Sequence, residues 1–136
     1  MKLDQALVDA AIGLVRIRYG SDAAWQGAAA LYTATGKVLT STFVDSPNPA
    51  VSLCHETGAI CEAHKLGEKV TASVCVSRAE DGSFHILTPC GVCQERLYFW
   101  GADVQVAVPV AGDPAQWQAK TLQDVQPFYW YKPYQR

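Results

Sequence analysis

The chain has 136 residues, 49% of them hydrophobic and 18% charged, with a net charge of −2 at neutral pH. This suits one soluble domain (1–136) with a single core, and the scattered Lys and Arg offer no electrostatic hold on a polynucleotide. No apolar run approaches the roughly 18–20 residues of a bilayer span. The opening MKLDQALVDA does not read as a signal peptide, and five cysteines without disulfide-framework spacing point to a reducing cytoplasm.

Leu3, Leu7, Ala10, Ala11, Leu14 and Val15 recur at helical spacing and predict an amphipathic first helix that Gly20 ends. GAAALYTATGKVLTSTFV predicts two strands joined by a turn at Thr35-Gly36. SPNP then breaks regular structure. From Ser52, read as an N-cap, to Leu66 the pattern is helical, and Gly67 stops it. KVTASVCVSRA is a strand rich in β-branched residues, Asp81-Gly82 a turn, and FHILT a short strand leading into Pro89. Cys90 to Trp100 reads as another helix closed by Gly101, and DVQVAVPV as a further strand. The tail QPFYWYKPYQR, dense in aromatics, matches neither helix nor strand. The order α-β-β-α-β-α-β predicts an α/β sheet covered by helices.

TPCGVC places Cys90 and Cys93 three residues apart where Pro89 opens a helix, so both thiolates face one way and can grip one ion. A closed structural zinc site usually brings a second Cys or His pair. Here the segment SLCHETGAICEAHKLG adds one further cysteine at a helix start, Cys54. Three thiolates leave one tetrahedral position open, the pattern of a catalytic zinc that holds water. Glu56, two residues beyond Cys54, emerges from the same turn and can carry a proton to and from that water. Helix N-termini would help to stabilise the thiolates.

Two rival readings use the same residues. A closed zinc knot would recruit His64 or His85 as fourth ligand, and it leaves Glu56 without a purpose. A thiol–disulfide role for Cys90 and Cys93 leaves Cys54 unexplained. Cys61 and Cys75 read as small buried apolar residues, and Glu62, Glu68, Glu80 and Asp81 as solvated surface.

A ligand-x-Glu followed at a distance by Pro-Cys-x-x-Cys resembles the signature of the zinc-dependent cytidine deaminases. The stretch QGAAALYTATGKVLTSTFVDS is similar to that family's first hairpin and following substrate loop, and the length matches its short members. The resemblance implies a mixed β-sheet covered by helices in three α-β-α layers, with Zn²⁺ held by Cys54, Cys90 and Cys93. It implies hydrolytic deamination of cytidine, deoxycytidine or a related, including N4-modified, cytosine nucleoside to the uracil form with release of ammonia. By the same resemblance Glu56 protonates the ring at N3. The carbonyl of Thr88 receives the departing amine, and main-chain N–H groups around His55 face the ring carbonyl.

His55 is not a ligand on this reading, because a His-x-Glu motif starting there would put the proton carrier at Thr57. It is either a packed histidine or, with Arg96 and the helix dipoles, a substitute for the arginines that offset thiolate charge in three-cysteine members, where this chain has Thr57 and Gln94. Phe43 and Asp45 stand where the nucleoside enzymes hold the sugar with Asn and Glu, and Ala24 stands where an aromatic is expected. These departures suit a modified cytidine, a blasticidin S-type substrate or a free base. Short members are usually homotetramers, and the resemblance implies a homo-oligomer here, a tetramer or a dimer. Phe128 or Trp130 of the tail is then expected to cover a neighbour's pocket. The remaining non-enzymatic alternative is a zinc-stabilised interaction module.

Overall fold

A computed structural model describes residues 1–21 and 24–134. The first helix, α1 (Gln5–Tyr19), starts where the Asp4 side chain accepts the N–H of Leu7, and ends at Gly20, whose φ of 72° only glycine adopts cheaply. Strands β1 (Gly27–Thr33) and β2 (Val38–Thr42) form the expected hairpin, turning at Gly36 with φ of 90°. A 3₁₀ turn (Pro49–Val51) precedes helix α2 (Thr57–Leu66) and strand β3 (Val70–Arg78). Strand β4 (Phe84–Ile86) and helix α3 (Gly91–Leu97) follow, the helix tightening to 3₁₀ over Tyr98–Trp100. Then come β5 (Gln105–Val110), β6 (Asp113–Thr121) and the single turn α4 (Leu122–Val125).

The six strands make one mixed sheet in the order β2-β1-β3-β5-β6, with β4 also on β3. Strand β3 shares one of its edges between two partners. Val76–Arg78 pair antiparallel with β4, while Ala72 and Ser73 pair parallel with β5. Where β4 and β5 part, the chain leaves the sheet at Leu87, whose N–H still reaches the carbonyl of Cys75 at 2.9 Å. A ligand crevice belongs at such a parting, because neither neighbour covers it.

Helices cover both faces. On one, Leu7, Val8, Ala11 and Val15 of α1 pack on Ala28, Ala30, Val74 and Val76. On the other, Ala59, Ile60 and Ala63 of α2 and Leu97 of α3 pack on Ala29, Leu31, Val70 and Val106. This is the expected mixed α-β-α arrangement. Strand β1 is buried along its whole length, and its run of three alanines lets both helix layers approach closely. Each fully buried Leu or Val contributes about 1.5–3 kcal/mol.

Three sequence expectations change. Helix α2 begins at Thr57, not Ser52; the Ser52 hydroxyl instead accepts the N–H of Ser46, and Leu53 pairs with Val44 in an isolated bridge. Strand β6 was not expected: only Trp117 and Thr121 of its residues are even half-buried, so it carries no alternating pattern. Cys61 is exposed rather than buried, whereas Cys75 is buried as expected. No helix among the described residues is long and apolar enough to cross a membrane.

Candidate metal centre and active site

Two short connections bring the site residues together. The Val44–Leu53 bridge, with hydrogen bonds of 2.9 and 3.0 Å, holds the strand that delivers Cys54, His55 and Glu56 as a turn just before α2. Ser41 of β2 locks that turn: its hydroxyl donates to the carbonyl of His55 at 2.5 Å and accepts the N–H of Ala59 at 3.0 Å. Gly58 is needed here, since a Cβ would come 2.8 Å from that of Ser41. On the other side, buried Pro89 leads to Cys90, the N-cap of α3, and Cys93 lies in its first turn. Gln94 steadies the connection by donating its side-chain amide to the carbonyl of Pro89 at 2.7 Å.

The sulfurs of Cys54, Cys90 and Cys93 all lie within 4.8 Å of one another, with Cys54 and Cys90 at 3.4 Å, and none is in a disulfide. A tetrahedron with metal–sulfur bonds of about 2.3 Å has edges of about 3.8 Å, so this triangle fits one soft ion. Among the described residues no His or carboxylate completes the triangle: His64 packs on the ring of Phe99, and His85 lies opposite Ser77 in the β3–β4 ladder. The closed zinc knot therefore lacks its fourth ligand in that group.

Glu56 is 3% exposed, and its Oε2 has no hydrogen-bond partner. A buried carboxylate oxygen without a donor is costly unless a ligand or water completes it. It lies with a ring nitrogen of His55 and the sulfur of Cys75 in a second group within 4.8 Å. Beside both groups is a cavity of about 120 Å³. It is lined by Cys54, Cys90, Glu56 and Cys75 of the two groups, by His55, and by Phe43, Leu87 and Thr88.

The electrostatics fit a cation. Burial, then the charge of Glu56 and of the neighbouring sulfurs, pushes the Cys93 thiol far above its ordinary range. Cys54 is also raised, by burial and by its contact with Cys90. Cys90 goes the other way: burial opposes ionisation, but the N–H groups of Cys93 and Val92 and the Cys54 thiol outweigh it. Three thiols packed beside a carboxylate ionise together only when a positive ion is among them, which inverts these directions. Arg96 approaches from α3 and donates to the Thr57 hydroxyl at 2.7 Å, so a guanidinium contacts the residue after Glu56. Burial lowers the pKa of His55 against the pull of Glu56, which disfavours the imidazolium that charge offset by this residue would require.

The other expected positions fall as follows. Phe43 and Thr88 line the cavity, while Asp45 is exposed and outside its lining. Ala24 is half-buried and Trp25 is 67% exposed, and neither lines the cavity. Phe128 is 95% and Trp130 65% exposed, both away from this chain's own cavity. Ser41 was missed, because nothing in its sequence neighbourhood distinguishes it from any other strand serine.

Fold and site together define an α/β protein in which two segments lead three thiols and a buried carboxylate to a parting in the sheet. A cytidine deaminase crystal structure from Bacillus anthracis is similar at 44% identity with a TM-score of 0.86, covering 96% of this chain and 91% of that one. The chain belongs to the cytidine deaminase family. A cytidine deaminase of Mycobacterium tuberculosis is 34% identical over 86 residues, 62% of this chain and 61% of that relative's length. A blasticidin-S deaminase of Bacillus cereus is 26% identical over 114 residues, covering 80% of this chain and 81% of the relative. No protein-family model matches the chain.

Proposed function

We propose that this chain is a zinc-dependent aminohydrolase that deaminates cytidine, deoxycytidine or a close cytosine relative to the uracil form, releasing ammonia. One observation carries the reading: three free thiols converge beside a buried carboxylate oxygen that lacks a partner, at a cavity the size of a small ring. Cys54, Cys90 and Cys93 would hold the zinc. When bound, it supplies the Lewis acidity that makes water a nucleophile near neutral pH. Glu56 takes one proton from that water, delivers it to ring N3, and passes the second to the departing amine. The Thr88 carbonyl receives that amine. The main-chain N–H groups at His55 face the ring carbonyl, on a turn that Ser41 holds.

The B. cereus relative gives a second reading specific support: a blasticidin S-type substrate, for which the aromatic at Phe43 leaves the sugar position free of an amide. A zinc-stabilised interaction module leaves the partnerless carboxylate unexplained. We also read the chain as cytoplasmic and as a homo-oligomer, a tetramer or a dimer, acting on a small nucleoside and not on a polynucleotide or a membrane.

Ammonia release is the test, on cytidine, deoxycytidine, cytosine, N4-substituted cytidines and blasticidin S, with Glu56→Ala as control. Release from at least one of them, abolished in the variant, supports the reading. Zinc binding without release from any would leave the interaction module.

A further inference from the structure

Two side chains shape the cavity without belonging to the three-sulfur triangle. The rings of Phe43 and His55 meet at 5.3 Å between centroids, tilted by 41°, and both line the cavity. His55 is backed by β1: a Cβ on Gly27 would come 2.5 Å from its Nε2 and 2.4 Å from the carbonyl of Val76. The imidazole therefore fills the space a larger residue at 27 would occupy, with the Phe43 ring as a further neighbour. Cavities that enclose drug-sized ligands run to about 300–1,000 Å³, whereas this one is about 120 Å³. That is room for one planar ring, and a substituent on such a ring would meet the exposed lining residues, Phe43 and Leu87 among them.

Resting on the aminohydrolase reading above, we infer that Phe43 and His55 are the specificity wall of the site and select a cytosine ring whose N1 substituent is small or poor in hydroxyls. At the opening, Phe43 and Leu87 offer no hydrogen bond. Thr88 supplies the one side-chain hydroxyl there, and Asp45 stands outside the lining. A sugar hydroxyl drawn in against Phe43 and Leu87 gives up water without a side-chain partner, beyond the one that Thr88 can serve. A methyl group packs against the same surface without that cost, and a deoxyribose brings one hydroxyl fewer than a ribose. The phenyl face of such a wall discriminates weakly among shapes but does not reward hydroxyls.

The test measures kcat/KM for 1-methylcytosine, deoxycytidine and cytidine on the zinc-loaded wild type and on Phe43→Asn, Phe43→Ala and His55→Ala. Calorimetric dissociation constants for the products 1-methyluracil and uridine are measured on each protein. The expected wild-type result is a preference of about tenfold or more for 1-methylcytosine or deoxycytidine over cytidine. Both alanine variants narrow that ratio by raising KM for the hydroxyl-poor substrates, and Phe43→Asn moves it toward cytidine. Should the alanine variants fail to fold, Phe43→Leu and His55→Gln take their place. A wild type that prefers cytidine, with variants that scale all substrates by one factor, overturns the wall while leaving the deaminase standing. No ammonia from any substrate overturns the deaminase reading instead, and the product-binding ratio still decides whether the wall selects.

Discussion

Glu56 has two oxygens in a 3% exposed position and one of them lacks a donor, as the proposed proton transfer requires. Glu56→Gln keeps the shape and removes the base. The expected loss in kcat is about 10²–10⁴-fold, with zinc content unchanged by atomic absorption. Cys93 is the fully buried member of the sulfur group, so on the proposed zinc reading Cys93→Ser removes a ligand from the least accessible corner. Metal content should fall well below one ion per chain, and the melting temperature should no longer rise when zinc is added. These residues were legible in the sequence because their chemistry depends on type and short spacing: Cys90 and Cys93 share a helix turn, and Glu56 follows Cys54 in one turn. His55 was legible as a packed histidine, but what it packs against was not. Its neighbours Phe43, Gly27 and Val76 come from three separate segments, and only the folded sheet brings them together.

Among the elements, the turn before α2 matters most. Its clamp is the Ser41 hydroxyl, which serves one carbonyl and one N–H at once. Ser41→Ala leaves both without that partner in a half-buried place. It should cost about 1–3 kcal/mol by denaturant titration and lower kcat by loosening Glu56. The misplaced start of α2 has a physical reason: Ser52 has cap chemistry, but the Val44–Leu53 bridge keeps the chain extended past it, and no local pattern reports a bridge between distant residues. Strand β6 escaped notice for a related reason. As the exposed edge strand beyond β5 it needs no apolar face, and its register is set by the tight connection at Gly112. Its end is well defined, because Thr121 and Asp124 form a reciprocal capping box that starts α4. Thr121→Ala should cost about 1 kcal/mol without touching activity.

At the scale of the whole molecule, the two helix layers and the sheet between them follow from the order of elements, and the order was readable from periodicity. The tail was readable only in part. Tyr129 folds back, stacks on Tyr98 at 3.7 Å and is 8% exposed, so Tyr129→Ala should destabilise by about 3 kcal/mol. Its neighbours Phe128, Trp130 and Tyr131 remain exposed, as does Phe99 across a groove of about 810 Å³ between α2, α3 and the tail. So much apolar surface suits a second subunit. Light scattering on the purified protein should give a multiple of the 14.8 kDa chain mass.

The central claim is that three sulfurs and Glu56 work around one metal ion. It is tested most directly by adding zinc stepwise to metal-free protein while recording ammonia release from deoxycytidine. Release should rise in proportion to added zinc and level off at one ion per chain. Ammonia formed at the same rate without zinc, or none formed at any zinc level, would contradict it.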